Sequence, residues 1–192
     1  MKLPRAFWPA ALALLCAAGL NAAPPGEAVP GVVQAALIVR ILAYDHRLAG
    51  RPPGPAVIAI LQSGSGVPAV APALERLLAN GGLPGREVRI ALVPFRGDAQ
   101  LAASLAILKP AALFVPRSLD AEAGRIARAT RAAQVLSIGE SDASVRAGLS
   151  LGIVRRKARA SLIVQRAALH AEGAELDAAL LRLCDPVEGE AR

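Results

Sequence analysis

Apolar positions along this chain fall into two kinds of run, and the two kinds alternate. In "VPGVVQAALIVRILAYDHRLAG", Val29, Val33, Leu37, Ile41 and Tyr44 recur at helical steps. That places them on one face of a first helix, which stops at Gly50. "RPPGP" then breaks the chain. "AVIAILQ", residues 56–62, is a continuous β-branched run, the pattern of a strand covered on both faces. "SGSGVP" follows as a loop, and "AVAPALERLLANGG" as a helix with a glycine stop and an early Pro72.

The unit recurs as strand 87–95 with helix 98–109, strand 111–116 with helix 118–133, and strand 134–139 with a short helix 141–148 closed by Gly148. Four such alternations predict an α/β fold, a single Rossmann-like domain with a mainly parallel sheet. The tail departs from the rhythm. "LSLGIVRRKARASLIVQ" holds two apolar runs around a basic turn and predicts a C-terminal β-hairpin. Helical "RAALHAEG" and "LDAALLRLCD" follow it.

The first residues change the picture of where the chain works. "MKLPRAFWPAALALLCAAGLNAAPPG" has Lys2 and Arg5, a short apolar run and then small residues, the layout of a cleavable secretory signal peptide. The run is shorter than the roughly 20 residues that a membrane span needs. Cleavage is expected near Ala22 or Ala23, leaving 24–192 as one α/β domain in the periplasm. A chain of that length buries enough surface to fold without a disulfide or metal. Cys184 is then the sole cysteine. It reads either as a small apolar residue on the last helix or as a cross-link between two copies in a homodimer.

The formal charge is +7, and loss of Lys2 and Arg5 lowers it by two. Nineteen of the 22 basic residues are Arg, in an Ala-rich chain, so genomic composition accounts for part of the excess. For an exported protein such charge favours anionic surfaces. Nucleic acid is a poor candidate partner for an exported protein, and a 3% aromatic content leaves bases little to stack on.

Candidate chemistry is sparse. Gly139-Glu140-Ser141 ends a strand, yet the second glycine of a nucleophile elbow is missing. Ser141 therefore reads as the cap of the next helix, or as part of a ligand loop at a strand's carboxyl end, where open α/β sheets bind ligands. Gly64 and Gly66 follow the first strand without completing a dinucleotide or Walker pattern, and read as a plain loop or an anion-approaching one. His46 and His170 stand far apart, and no metal-like spacing exists, so no metal or other cofactor is expected. Arg125, Arg128 and Arg131 share a helix face that reads as solvated. Arg155, Arg156, Lys157 and Arg159 crowd the hairpin turn and mark a candidate partner-binding surface for an acidic face.

The order of pieces in "VLSIGESDASVRAGLSLGIVRRKARASLIVQRAALHAEGAELDAALLRLCD" resembles the YfiR family. The matching residues are Ile138-Gly139-Glu140-Ser141 with Gly148, then Ala167-Ala168 with Gly173, then Ala178, Leu180, Leu181 and Leu183. "AALIVRILAYDHRLAG" is similar to the family's opening helix. Gln165-Arg166 replaces the usual Asn before the penultimate helix, paired cysteines of some members are absent, and "RRKAR" replaces a more acidic hairpin. The resemblance implies an exported, non-enzymatic protein. It would bind the periplasmic part of an inner-membrane signalling protein, a diguanylate cyclase or a sensor kinase, and modulate its activity. A small-ligand carrier is the alternative, and a hydrolase using Ser141 or Ser63 the third reading.

Overall fold

A computed structural model describes residues 28–50, 54–64, 66–81, 83 and 85–187, the side chain of Ala49 excepted. The expected leader, with Trp8 and Cys16, lies outside the described residues.

The expected alternation is present. Helices α1 (Gly31–Ala43) and α2 (His46–Gly50) are followed by β1 (Ala56–Gln62), α3 (Val70–Ala79), β2 (Val88–Pro94), α4 (Asp98–Leu108) and β3 (Ala112–Val115). A 3₁₀ segment, Arg117–Glu122, leads into α5 (Ala123–Ala133), then β4 (Leu136–Gly139) and α6 (Asp142–Arg146). The hairpin β5 (Leu151–Arg156) and β6 (Arg159–Val164) comes next, then α7 (Arg166–Ala171), α8 (Ala178–Leu181) and β7 (Cys184–Pro186). The seven strands form one sheet in the order β2-β1-β3-β4-β5-β6-β7. β1 to β5 run parallel, β6 turns antiparallel against β5, and β7 runs parallel to β6.

Strand alternation divides the core between the two faces. Ile58 and Ile60 of β1 pack under α1 and α3 with Ile38, Ile41 and Leu74. Ala59 and Leu61 point the other way, to Leu101 and Leu105 of α4 and Ile126 of α5. The near-continuous apolar character of β1 follows from this double coverage. Among the described residues no helix is long and apolar enough to cross a membrane.

Three elements differ from expectation. The first helix is broken at Tyr44 and Asp45, where Asp45 bridges Leu176 and its carboxylate accepts from the Arg47 N–H at 3.0 Å. That bond caps a new helical start, a local competition that hydrophobic spacing does not reveal. Helix 118–133 begins as a 3₁₀ turn. The last helix stops at Leu181, so Cys184 sits on strand β7 and not on a helix. Pairing with β6 has overridden a helical pattern less than three turns long.

Candidate functional site

The carboxyl end of the parallel strands gathers most of the residues singled out in the sequence. The loop after β4 holds Glu140 and Ser141. Ser141 is buried, and its hydroxyl accepts from the Ser144 N–H at 3.0 Å, so it is the N-cap of α6. Ser144 returns the contact, its hydroxyl donating to the Ser141 carbonyl at 2.9 Å. Ser141→Ala is expected to cost about 1 kcal/mol of stability. Equilibrium urea denaturation reads this directly, and an unshifted midpoint would remove the capping role.

Glu140 ties three elements together. One carboxylate oxygen accepts from the buried Gln34 amide of α1 at 2.6 Å, and the other from the Arg117 N–H at 2.7 Å. Gly139 fits beneath this turn because a Cβ there would collide with the Ser144 hydroxyl and approach Leu149 to 3.0 Å. Gly66 and Glu140 share a crevice of about 320 Å³ with Ser63, Pro68, Pro116 and Ser118. It lies between the ends of β1 and β3, where the strand order reverses, the usual ligand position in such sheets. Gly64 takes a left-handed backbone, φ +73°, with open space around it.

The basic hairpin proves heterogeneous. Arg156 donates to Asp142 at 2.8 Å and to Asp185 at 3.1 Å, joining β5 to α6 and β7. Both carboxylates hold its pKa above the ordinary value, Asp142 most strongly. Thus Arg156 and the "SIGESD" turn form one unit. Arg155 and Arg159 border a small recess of about 180 Å³ with Val29, Pro30 and Val33. Lys157 and Arg159 are exposed and make no ion pair with any described residue. Lys157 and Ala158 form the tip, both at positive φ (47° and 62°), the backbone that a two-residue hairpin turn demands. The tip is therefore an exposed cationic two-residue turn.

The three helix arginines are occupied separately. Arg125 pairs with Asp98 and Glu122, Arg128 reaches the Gly124 carbonyl, and Arg131 reaches the Gly148 carbonyl. His46 lies 3.4 Å from Asp177 at the surface. Cys184 is buried, its thiol donating to the Leu180 carbonyl at 3.4 Å, and burial followed by the Asp185 charge pushes its pKa up. A buried thiol of raised pKa is a poor nucleophile for cross-linking. Among the described residues no cluster of three His, Cys, Asp or Glu side chains suits a metal.

Glu172 was not singled out in the sequence. It closes α7 and is fully buried. One carboxyl oxygen meets the Thr130 hydroxyl at 2.6 Å and the Ser137 hydroxyl at 2.7 Å. The other meets the Ser137 N–H at 2.8 Å and the Ser150 hydroxyl. The Ser137 hydroxyl also accepts from the Ser150 N–H, and Arg47 donates to the Glu172 carbonyl at 2.8 Å. Burial raises the Glu172 pKa, and its hydrogen bonds offset only part of that rise. The available signal was indirect: Ser137 interrupts a buried strand, and Thr130 lies on the apolar side of α5.

These features define a doubly covered α/β domain whose polar groups of interest cluster at one end of the sheet. The chain belongs to the YfiR/HmsC-like family, whose pattern it matches over residues 32–185. That family consists of periplasmic regulators in diguanylate cyclase signalling. No curated protein matches the chain. Several solved structures share its fold. A conserved domain protein from Vibrio cholerae O1 biovar El Tor superposes with a TM-score of 0.57 at 13% identity, covering 82% of this chain and 60% of that one. The ABC domain from Streptococcus pneumoniae, solved in complex with L-Trp, gives 0.54 at 12% identity, with the same two coverages. A substrate binding protein with adhesive properties from Clostridium difficile, in a ligand-free, open structure, gives 0.51 at 15% identity, covering 69% and 54%. The chain thus spans about 60% of the first two neighbours. At these identities the likeness concerns the fold alone.

Proposed function

We propose that this chain is an exported regulator, cut near Ala22 or Ala23, whose 24–192 portion works by contact with another protein. The partner is the periplasmic part of an inner-membrane signalling protein, a diguanylate cyclase or a histidine kinase. Contact regulates such a partner only through different affinities for its active and inactive states. Membership of a regulator family supports this reading, and the observation that carries it is the cationic tip at Lys157 and Arg159. The tip is exposed and closes the β5–β6 hairpin at one end of the sheet, which suits an acidic partner face. Arg155 borders the same surface, whereas Arg156 supports it from behind through Asp142 and Asp185.

The test is co-purification of the tagged protein with diguanylate cyclases or histidine kinases from a detergent-solubilised membrane fraction of the same cell. Lys157→Glu with Arg159→Glu is expected to weaken capture at least tenfold while leaving the melting temperature within a degree or two. Arg156 is left intact because its loss would disturb the support as well as the surface. Undiminished capture by the double variant would move the contact elsewhere. A second reading, ligand carriage, is favoured by the crevice between β1 and β3, and a melting shift with a metabolite would support it.

A further inference from the structure

The opposite end of the sheet holds a larger cavity, about 800 Å³, unconnected with any residue singled out in the sequence. It is a groove between α4 and α5. Ala102 and Ala106 form one wall, Ala129, Ala132 and Ala133 the other. Buried Leu105 and Val135 lie at the floor. Four of the five wall alanines are exposed, so it is an open groove, with the volume of a small-ligand site. Alanines on both helices leave the gap open where larger side chains would close it.

The polar side chains around the groove are few and of one sign. Among the described residues Arg47, Arg86 and Lys109 line it, with the Gln134 amide, and no acidic residue does. No described aromatic residue lines it either. Lys109 and Gln134 carry a second observation. They end α4 and α5 in the left-handed region, φ 43° and 51°. Glycine or asparagine is the usual choice there, and other residues adopt it at a cost. At both helix ends the chain instead places a long polar side chain beside the groove. Unfavourable backbone of this kind gathers where a side chain has work to do.

We propose that this groove binds a single-chain anionic amphiphile, a fatty-acid carboxylate. Its hydrocarbon chain lies between the alanine walls, and its head group meets Lys109 and Arg47. Arg47 gives one N–H to the Glu172 carbonyl, and a guanidinium has five to offer. The helix carbonyl ends nearby oppose an anion with partial charges, which the full charges of Lys109 and Arg47 offset. A ligand rich in hydroxyls or amides would leave those groups unpaired against alanine and leucine. A cationic amphiphile would meet charges of its own sign.

The experiment uses the purified protein without a partner, so its outcome is separate from that of the regulator reading. Isothermal titration and melting curves are run with dodecanoate below its micelle concentration, and with dodecyltrimethylammonium and dodecyl maltoside as cationic and neutral controls. Dodecanoate is expected to bind one-to-one with a dissociation constant in the micromolar range and to raise the melting temperature. Both controls are expected to bind at least tenfold more weakly. Ala132→Phe, at an exposed wall position, is expected to abolish binding. Lys109→Gly, which suits the backbone, is expected to weaken it about tenfold without unfolding the protein. Equal binding of all three amphiphiles, undiminished binding by the Phe variant, or no saturable binding of dodecanoate overturns the proposal.

Discussion

Glu172→Gln is expected to fold with parental stability near pH 5 and to lose much of the parent's sensitivity to rising pH. The carboxyl oxygen beside Thr130 and Ser137 faces only hydroxyls, which rotate to accept as readily as to donate. The other oxygen faces the Ser137 N–H, which can only donate. A glutamine amide meets both demands with its nitrogen on the hydroxyl side, at a cost within about 1 kcal/mol. Burial raises the carboxyl's pKa in the folded protein above its ordinary 4.5. At low pH both states hold the proton. As pH rises past 4.5 the unfolded chain releases it and the folded chain does not, so stability falls until the folded-state value is passed, then levels off. Exposed pairs such as Arg156 with Asp142 act in both parent and variant, so the difference between the two curves isolates Glu172.

Glu172→Ala behaves differently. It strands the Ser137 N–H and the Ser150 hydroxyl in the interior and leaves a void between α5, β4 and α7. A loss of about 3–5 kcal/mol is expected, or roughly 10 °C in melting temperature for a chain of this size. Denaturant titrations from pH 4 to 8 on parent, Gln and Ala variants measure both effects. Parallel pH curves for parent and Gln variant would show that Glu172 is not the group responsible.

Gly139→Ala is the second substitution expected to act strongly. The added methyl collides with the Ser144 hydroxyl and presses on Leu149. Ser144 cannot yield cheaply, because its N–H and hydroxyl both hold the Ser141 cap. Overpacking of this kind costs about 1–3 kcal/mol, and loss of the cap adds to it. Gly139→Ala with Ser144→Ala is expected to recover part of the loss, since the smaller side chain vacates the contested space. Thermal melts of the two variants test this; a double variant no more stable than the single would place the strain against Leu149 instead.

The sheet and its parallel strands were legible because double burial writes long β-branched runs into the chain, as in β1. The hairpin and the Ser141 cap were legible for local reasons: a basic turn between apolar runs, and a hydroxyl just before a helical pattern. The break at Asp45 and the strand at Cys184 were not: the first rests on a local side-chain cap that hydrophobic spacing does not show, together with a bridge to Leu176, and the second on pairing with Leu162. The Glu172 cluster and the α4–α5 groove share the latter cause. Thr130, Ser137, Ser150 and Glu172 are spread over 43 residues and meet only through the packing of three elements. Conversely, the four basic residues of the turn looked alike in the sequence, and only geometry separates the bound Arg156 from the exposed Lys157 and Arg159.

The two borders of the sheet are unlike each other. On one side the last strand is three residues long and terminates in Pro186, which has no N–H to offer. On the other, β2 runs for seven residues to its own terminal Pro94, half open to solvent, with Leu92 well exposed. An extended peptide seeking to join the sheet by main-chain hydrogen bonds would find almost no template beside β7, and a usable one beside β2. Lateral growth of this protein, in crowded storage or by recruitment of a foreign strand, therefore has a built-in direction.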